Sequence, residues 1–85
     1  MTHELKCWPR YYEAILWNHR TFELRKNDRS FQTGDTLRLR EWDPETKEYT
    51  GRHTERRVIH ILHADECGIK GLQPGYCIMS LESVA

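Results

Sequence analysis

No stretch of this chain stays apolar for the twenty or so residues that a membrane-spanning helix needs. Its opening residues, Met1-Thr2-His3-Glu4-Leu5, contain no apolar signal-type segment. Both absences lead us to expect a cytoplasmic protein with no membrane partner. Cysteine is scarce as well. The three residues, Cys7, Cys67 and Cys77, leave one unpaired in any disulfide scheme, and none is spaced as a CxxC pair. That argues against a disulfide framework, a dithiol redox motif and a zinc ribbon, and a reduced intracellular chain is the simplest reading. An excess of charge of one sign is missing too. Thirteen basic and thirteen acidic residues cancel, which argues against a uniformly basic nucleic-acid clamp. Ser30, Ser80 and Ser83 sit in no recognisable nucleophile elbow. His60 and His63, three apart on an expected strand, face opposite sides and would need a bulge to share an ion with Cys67. No metal and no cofactor is expected.

What remains is a chain of 85 residues, enough for one domain and one core, so residues 1–85 are read as a single unit. A hydrophobic share of 38% and a charged share of 31% describe a globule and not a disordered tail. His3 to Cys7 reads as extended. Trp8-Pro9 then places a proline where a first helical turn tolerates it, ahead of Arg10-Tyr11-Tyr12-Glu13-Ala14-Ile15-Leu16-Trp17. The pairs Tyr12/Leu16 and Tyr11/Ile15 predict one broad apolar face, with Trp17 packed in the core. The helix should fray near Asn18 or His19, since asparagine tolerates the left-handed conformation.

From Thr21 the period becomes two. Phe22 and Leu24 point one way, and Thr21, Glu23 and Arg25 the other. Gly34-Asp35 is a turn, and Thr36 to Trp42 alternates as a strand. Asp43-Pro44-Glu45-Thr46-Lys47 has turn chemistry, although its tip carries lysine where glycine is expected. A β-branched strand is predicted from roughly Thr54 to Leu62, then a loop from Asp65 to Gly75 with at most one helical turn, and a central last strand from Tyr76 to Leu81. One early helix followed by strands joined by tight turns gives an α+β chain whose sheet curls into a small β-barrel.

The most informative segment is Arg20-Thr21-Phe22-Glu23-Leu24-Arg25-Lys26-Asn27-Asp28-Arg29. Between Arg20 and Arg40 lie six basic residues (Arg20, Arg25, Lys26, Arg29, Arg38, Arg40) and three acidic ones (Glu23, Asp28, Asp35). Glu23 and Arg25, two apart on one strand face, can pair with each other or share a ligand. A carboxylate accepts from the amino edge of a base, and a guanidinium donates as a fork to phosphate or carbonyl. Two readings stand for this pair, a ligand contact or an ion pair on a barrel wall. Lys26 to Arg29 likewise reads either as a basic contact or as a turn ordered by Asn27 or Asp28. Trp8 and Trp42 offer stacking faces, Trp42 being the better candidate for exposure. Tyr76 either caps a groove or packs.

Several of these segments together resemble the ASCH domain, a branch of the PUA-like barrels. They are His3-Glu4-Leu5-Lys6, the aromatic helix Tyr11-Tyr12-Glu13-Ala14, the Arg20 to Arg29 segment and Gly34-Asp35. The hairpin from Glu41-Trp42-Asp43-Pro44 to Tyr49-Thr50-Gly51-Arg52 and the pair Gly75-Tyr76 complete the set. The similarity runs through nearly the whole chain and is greatest to a small bacterial and phage branch of unsettled function. It implies a PUA-like barrel with one N-terminal helix and short helical turns. It also implies a groove between the helix, the next strand and the Gly-Asp loop, lined by Lys6, Arg20, Thr21, Glu23 and Arg25, with Lys26 and Arg29 nearby. RNA or a modified nucleoside would be the partner. A catalytic branch of the same family, which deacylates an acylated cytidine, uses lysine, threonine and a late glutamate. Here Arg20 and Glu23 take the places of the first two, and Glu66 is the nearest candidate for the third. Arginine is a poor proton shuttle. Non-catalytic recognition is therefore the leading expectation, a nucleoside or RNA hydrolase with Glu23 as base is the rival, and a phage or host protein-interaction factor comes third.

Overall fold

Alternating residues build five strands around one short helix in the computed structural model of the chain, which describes residues 1–66 and 70–84. The elements are β1 (Thr2–Cys7), α1 (Pro9–Leu16), β2 (Phe22–Lys26), β3 (Thr36–Asp43), β4 (Glu48–His63) and β5 (Tyr76–Ser83). They form one sheet in the order β1-β3-β4-β5-β2, curled into a half-barrel. β1 runs parallel to β3, and the remaining pairs are antiparallel. The two edges are therefore β1 and β2. The last strand, expected to be central, does lie between β4 and β2.

Inward residues supply the core, with Leu5 and Cys7 from β1 and Leu37 and Leu39 from β3. Val58 and Ile61 come from β4 and Cys77, Met79 and Leu81 from β5, joined by Phe31 from the loop before β3. Helix α1 adds only Tyr12 and Ile15. It starts with Pro9 and has no side-chain cap; the Trp8 carbonyl takes the Tyr11 and Tyr12 N–H groups instead. Asn18 stops it at φ 59°, and the Ile15 carbonyl of the last turn accepts from both the Asn18 N–H and Arg56 of β4, each at 3.0 Å. So short a helix presents a single i, i+3 pair to the sheet. Tyr11 and Leu16, expected on the apolar face, are exposed, and Trp17 is 67% exposed instead of packed in the core. Its indole N–H donates to Glu13 one turn back.

Strand β4 is longer than expected because bulges let it turn without ending. Arg40 pairs with His53 and Trp42 with Tyr49, so Thr50, Gly51 and Arg52 all stand opposite Glu41. Gly51 takes φ +96°, which lets both of its neighbours reach that buried carboxylate. Thr50 donates to Glu41 at 2.7 Å, and Arg52 donates through two nitrogens at 2.9 Å each. Arg52 also reaches Glu13 of α1 at 2.6 Å, tying the helix to the hairpin. A second bulge leaves Ile59 unpaired. The turn at Asp43 to Glu48 has the expected chemistry, with Asp43 accepting from Glu45 N–H and Lys47 held at φ 57°. Among the described residues of the 65–75 connection there is no helix, and the anticipated helical turn falls partly on Cys67–Ile69, outside the described residues. No described helix is long and apolar enough to cross a membrane.

Two buried carboxylates make the fold acid-sensitive. Arg52 holds Glu41 below its ordinary range despite burial. Burial pushes Asp35 up, but hydrogen bonds from His3, the Gln32 N–H and the N-terminal amine outweigh it and leave Asp35 low. A carboxylate whose folded pKa is depressed contributes stability above its unfolded pKa, near 4, and loses it as pH falls through the folded value. The urea midpoint should accordingly be flat above about pH 5 and fall below about pH 4, less steeply in Asp35→Asn and Glu41→Gln. Gly51→Ala should lower stability by about 1 kcal/mol, because a Cβ is strained at positive φ, and urea denaturation at pH 7 reads this directly.

Candidate nucleotide-binding groove

Edge strand β2 carries an inversion of the usual rule. Its apolar residues Phe22 and Leu24 are each 47% exposed, whereas Glu23 between them is 2% exposed and faces the core side beside Met79. The predicted alternation is present, with the carboxylate taking the inward side. It is tolerated there because it is paired. Arg20 donates to one carboxylate oxygen at 3.2 Å and Arg25 Nε donates to the other.

Arg25, together with Arg29, bridges the gap between the two edges of the sheet. Arg25 Nη2 donates to the Lys6 carbonyl at 2.6 Å, and Arg29 Nη1 to the Glu4 carbonyl at 2.8 Å, both on the free side of β1. Arg20 Nε donates to the Phe22 carbonyl at 3.1 Å. Each of Arg20 and Arg25 thus spends Nε and Nη2 on the protein, leaving Nη1 without a protein partner among the described residues. Around them opens a groove of about 550 Å³, lined by Lys6, Cys7, Trp8, Tyr11, Arg20, Phe22, Glu23, Leu24 and Arg25. The Arg20 guanidinium lies 4.7 Å from the Tyr11 ring centre and 4.9 Å from that of Phe22, which fixes its plane.

The free edge of β2 adds main-chain groups. Thr21 and Asn27 direct their backbone bonds toward β5 and its preceding loop, through Leu81 N–H and the Gly75 carbonyl. Strand alternation then turns the Leu24 N–H and carbonyl toward the groove.

Of the residues expected at the site, Lys6, Arg20, Glu23 and Arg25 come together. Thr21 and Lys26 are exposed and lie off the groove wall, while Arg29 acts as a pin on β1. Asn27 accepts from Phe31 N–H at 3.1 Å, so the segment after β2 includes the ordered turn read as one alternative. Tyr76 is half-buried at the far end of β5 and does not line the groove. Glu66 accepts from the His63 N–H on the β4 side and is no part of it. His60 and His63 occupy a regular part of β4, and Cys67 lies outside the described residues. Sequence reasoning missed Tyr11, Phe22, Leu24 and Cys7 as lining residues. Helical phase alone cannot say which flank of a two-turn helix meets a groove, and strand alternation cannot say which face of an edge strand is inside.

Cys7 belongs to the wall without being a nucleophile. Burial foremost, and then Glu23, push its thiol up to about 11, against opposing effects of Arg25 and Arg20. Burial also raises Cys77. A thiol so protonated reacts slowly. Peptide mapping after iodoacetamide treatment at pH 7.5 should find Cys7 and Cys77 unmodified in the folded protein and alkylated in 8 M urea, an assay condition of about that strength sufficing for a domain this small.

Among curated proteins, the chain is 37% identical over 59 residues to an uncharacterized 12.9 kDa protein in the GpA 3′ region of Escherichia phage P2. The match covers 69% of this chain and 52% of that protein, so the chain spans about half the length of the curated relative it matches. A family match takes in almost every element described above, from β1 to the end of the core part of β5. Over residues 2–81 the chain belongs to the family described as Domain of unknown function (DUF3850).

Proposed function

We propose that this chain is a PUA-like module of the ASCH type that recognises RNA or a modified nucleoside in the groove between β1 and β2. The observation that carries the reading is the buried Glu23, clamped between Arg20 and Arg25 in the groove wall. An isolated carboxylate in such a place would be costly, and two guanidiniums make it tenable while keeping donors and acceptors side by side. A nucleobase presents the same mixture along its edge. Glu23 would accept from an amino or imino group, and the unspent Nη1 groups of Arg20 and Arg25 would donate to a carbonyl or phosphate. Trp8, half exposed, and Tyr11 supply flat faces for stacking. The volume of the groove falls within the range of small-molecule sites.

Hydrolysis fits the geometry less well. Both oxygens of Glu23 accept from guanidinium groups, each keeping a lone pair for a base's N–H, and the arginines beside it are poor shuttles for any proton the carboxylate took from water.

Fluorescence anisotropy of short labelled single-stranded RNAs at two salt concentrations, followed by chromatography of the RNA, tests the reading. Salt-sensitive binding of intact RNA is expected, with Arg25→Ala weakening it at least several-fold, about 1 kcal/mol or more for a lost charged hydrogen bond. A folded Arg25→Ala protein that binds as well as the wild type would remove the groove from the scheme. Altered or cleaved RNA, with turnover lost in Glu23→Gln, would establish the enzyme instead.

A further inference from the structure

We propose that the RNA does not end in the groove but continues as a single strand over the outer face of β1, β3 and β4, along the row formed by Lys6, Arg40 and His53. This rests on the nucleotide reading of the groove and names the class of ligand as an oligonucleotide instead of a free nucleoside.

Register puts the three residues side by side, since Lys6 pairs with Arg40 and Arg40 with His53. The row spans two strand spacings, roughly 10 Å. Lys6 is its junction with the groove, because it both lines the groove and holds its ammonium 4.4 Å from the centre of the Trp42 ring on the outer face. One step further along, the Arg40 guanidinium lies 3.8 Å from the centre of the Tyr49 ring. Trp42 and Tyr49 themselves pair across β3 and β4. The result is two adjoining cation–aromatic stacks on the outer face, with Lys6 and Tyr49 exposed and Arg40 and Trp42 half-buried. Trp42, expected to be the more exposed tryptophan, is less exposed than Trp8 and Trp17 because Lys6 lies over its ring.

Charge separates this row from its surroundings. Among the described residues of that face, Arg38 lies between Glu4 and Glu55, and Arg57 pairs with Glu82. Lys6 and Arg40 have no carboxylate partner among the described residues. Acidic groups border the row on one side, in the Glu4–Arg38–Glu55 line one pair step back along the strands. A polyanion laid on this face is thereby turned away from that line and toward Lys6 and Arg40. The flat guanidinium of Arg40 on Tyr49, and Trp42 beside it, suit the bases of an unpaired strand, which stack on aromatic rings and arginine planes without regard to sequence. An A-form duplex shows its bases only at a groove floor and could not use these faces.

The test compares uridine monophosphate with labelled oligouridylates of two, four, six and eight nucleotides, on the wild type and on Arg40→Gln. Arg40 is on the surface, and its replacement leaves the core and the Glu23 clamp untouched. Trp42→Leu serves as a second variant. Affinity is expected to rise at least tenfold from the monophosphate to the hexanucleotide. Arg40→Gln should cancel most of that rise, lower the slope of log affinity against log salt by about 0.7 and leave monophosphate binding unchanged. An affinity independent of length, or a hexanucleotide bound equally well by wild type and Arg40→Gln, would overturn the path and leave the groove standing. Oligonucleotide binding that Arg40→Gln weakens but the groove variant Arg25→Ala does not would keep the outer row and discard the groove. Failure of the wild type to bind any of the probes at low salt would end both.

Discussion

Strands β1 and β2 face each other across the mouth of the half-barrel without a ladder between them, and the carbonyls on those edges need donors from elsewhere. Arginine side chains supply them. Arg25 serves the Lys6 carbonyl, Arg29 serves Glu4 and Arg20 serves Phe22. A guanidinium has five N–H groups in a fixed fork, so it can hold a carbonyl with one edge and a carboxylate with another, which an ammonium on a flexible stem does less well. Glu23 follows from this arrangement. Cations gathered on the inner side of an edge strand need a counter-charge, and the carboxylate they surround can then stay almost wholly out of water. The groove is the space this closure leaves.

A second ion cluster, on the opposite side of the helix, keeps the groove wall in place. The wide bulge at Thr50-Gly51-Arg52 directs a hydroxyl and a guanidinium at buried Glu41, and Arg52 extends the contact to Glu13 on α1. Its guanidinium also lies 4.9 Å from the centre of the Tyr12 ring. Arg56 takes the carbonyl of Ile15 at the other end of the helix. Eight residues make a helix too short to stand alone, so these tertiary contacts hold it. They thereby set where Trp8 and Tyr11 stand relative to Glu23. A bulge on one hairpin and the lining of a groove on the far side of the helix are consequently parts of one construction.

Much of this was legible in the chain. Alternation announced β2, β3 and β5, Pro9 and Asn18 bracketed the helix, and Asp43-Pro44 announced the hairpin. The arginine-rich segment marks out Arg20, Glu23 and Arg25 by its charge pattern alone. Each of these rests on interactions between residues close in sequence, where period, φ preference and side-chain chemistry act locally. The extent of β4 was not legible, because bulges carry a strand past residues that look like its end. Hydrophobicity alone assigns Trp17 to the core, although a two-turn helix stopping at Asn18 gives it nothing to pack against.

The sequence by itself determined the elements, their turns and which charged residues occupy one strand face, since these depend on backbone geometry within a few residues. Which face of β2 lies inside was decided only by the tertiary structure. Burying Glu23 in place of Phe22 or Leu24 becomes tenable only once Arg20 and Arg25 converge on it and a distant strand, β1, presents the Lys6 carbonyl that holds Arg25 in place. The outer row of Lys6, Arg40 and His53 is likewise invisible along the chain. Its members are separated by more than ten residues each and become neighbours only through strand register, which long-range pairing sets and local preference does not.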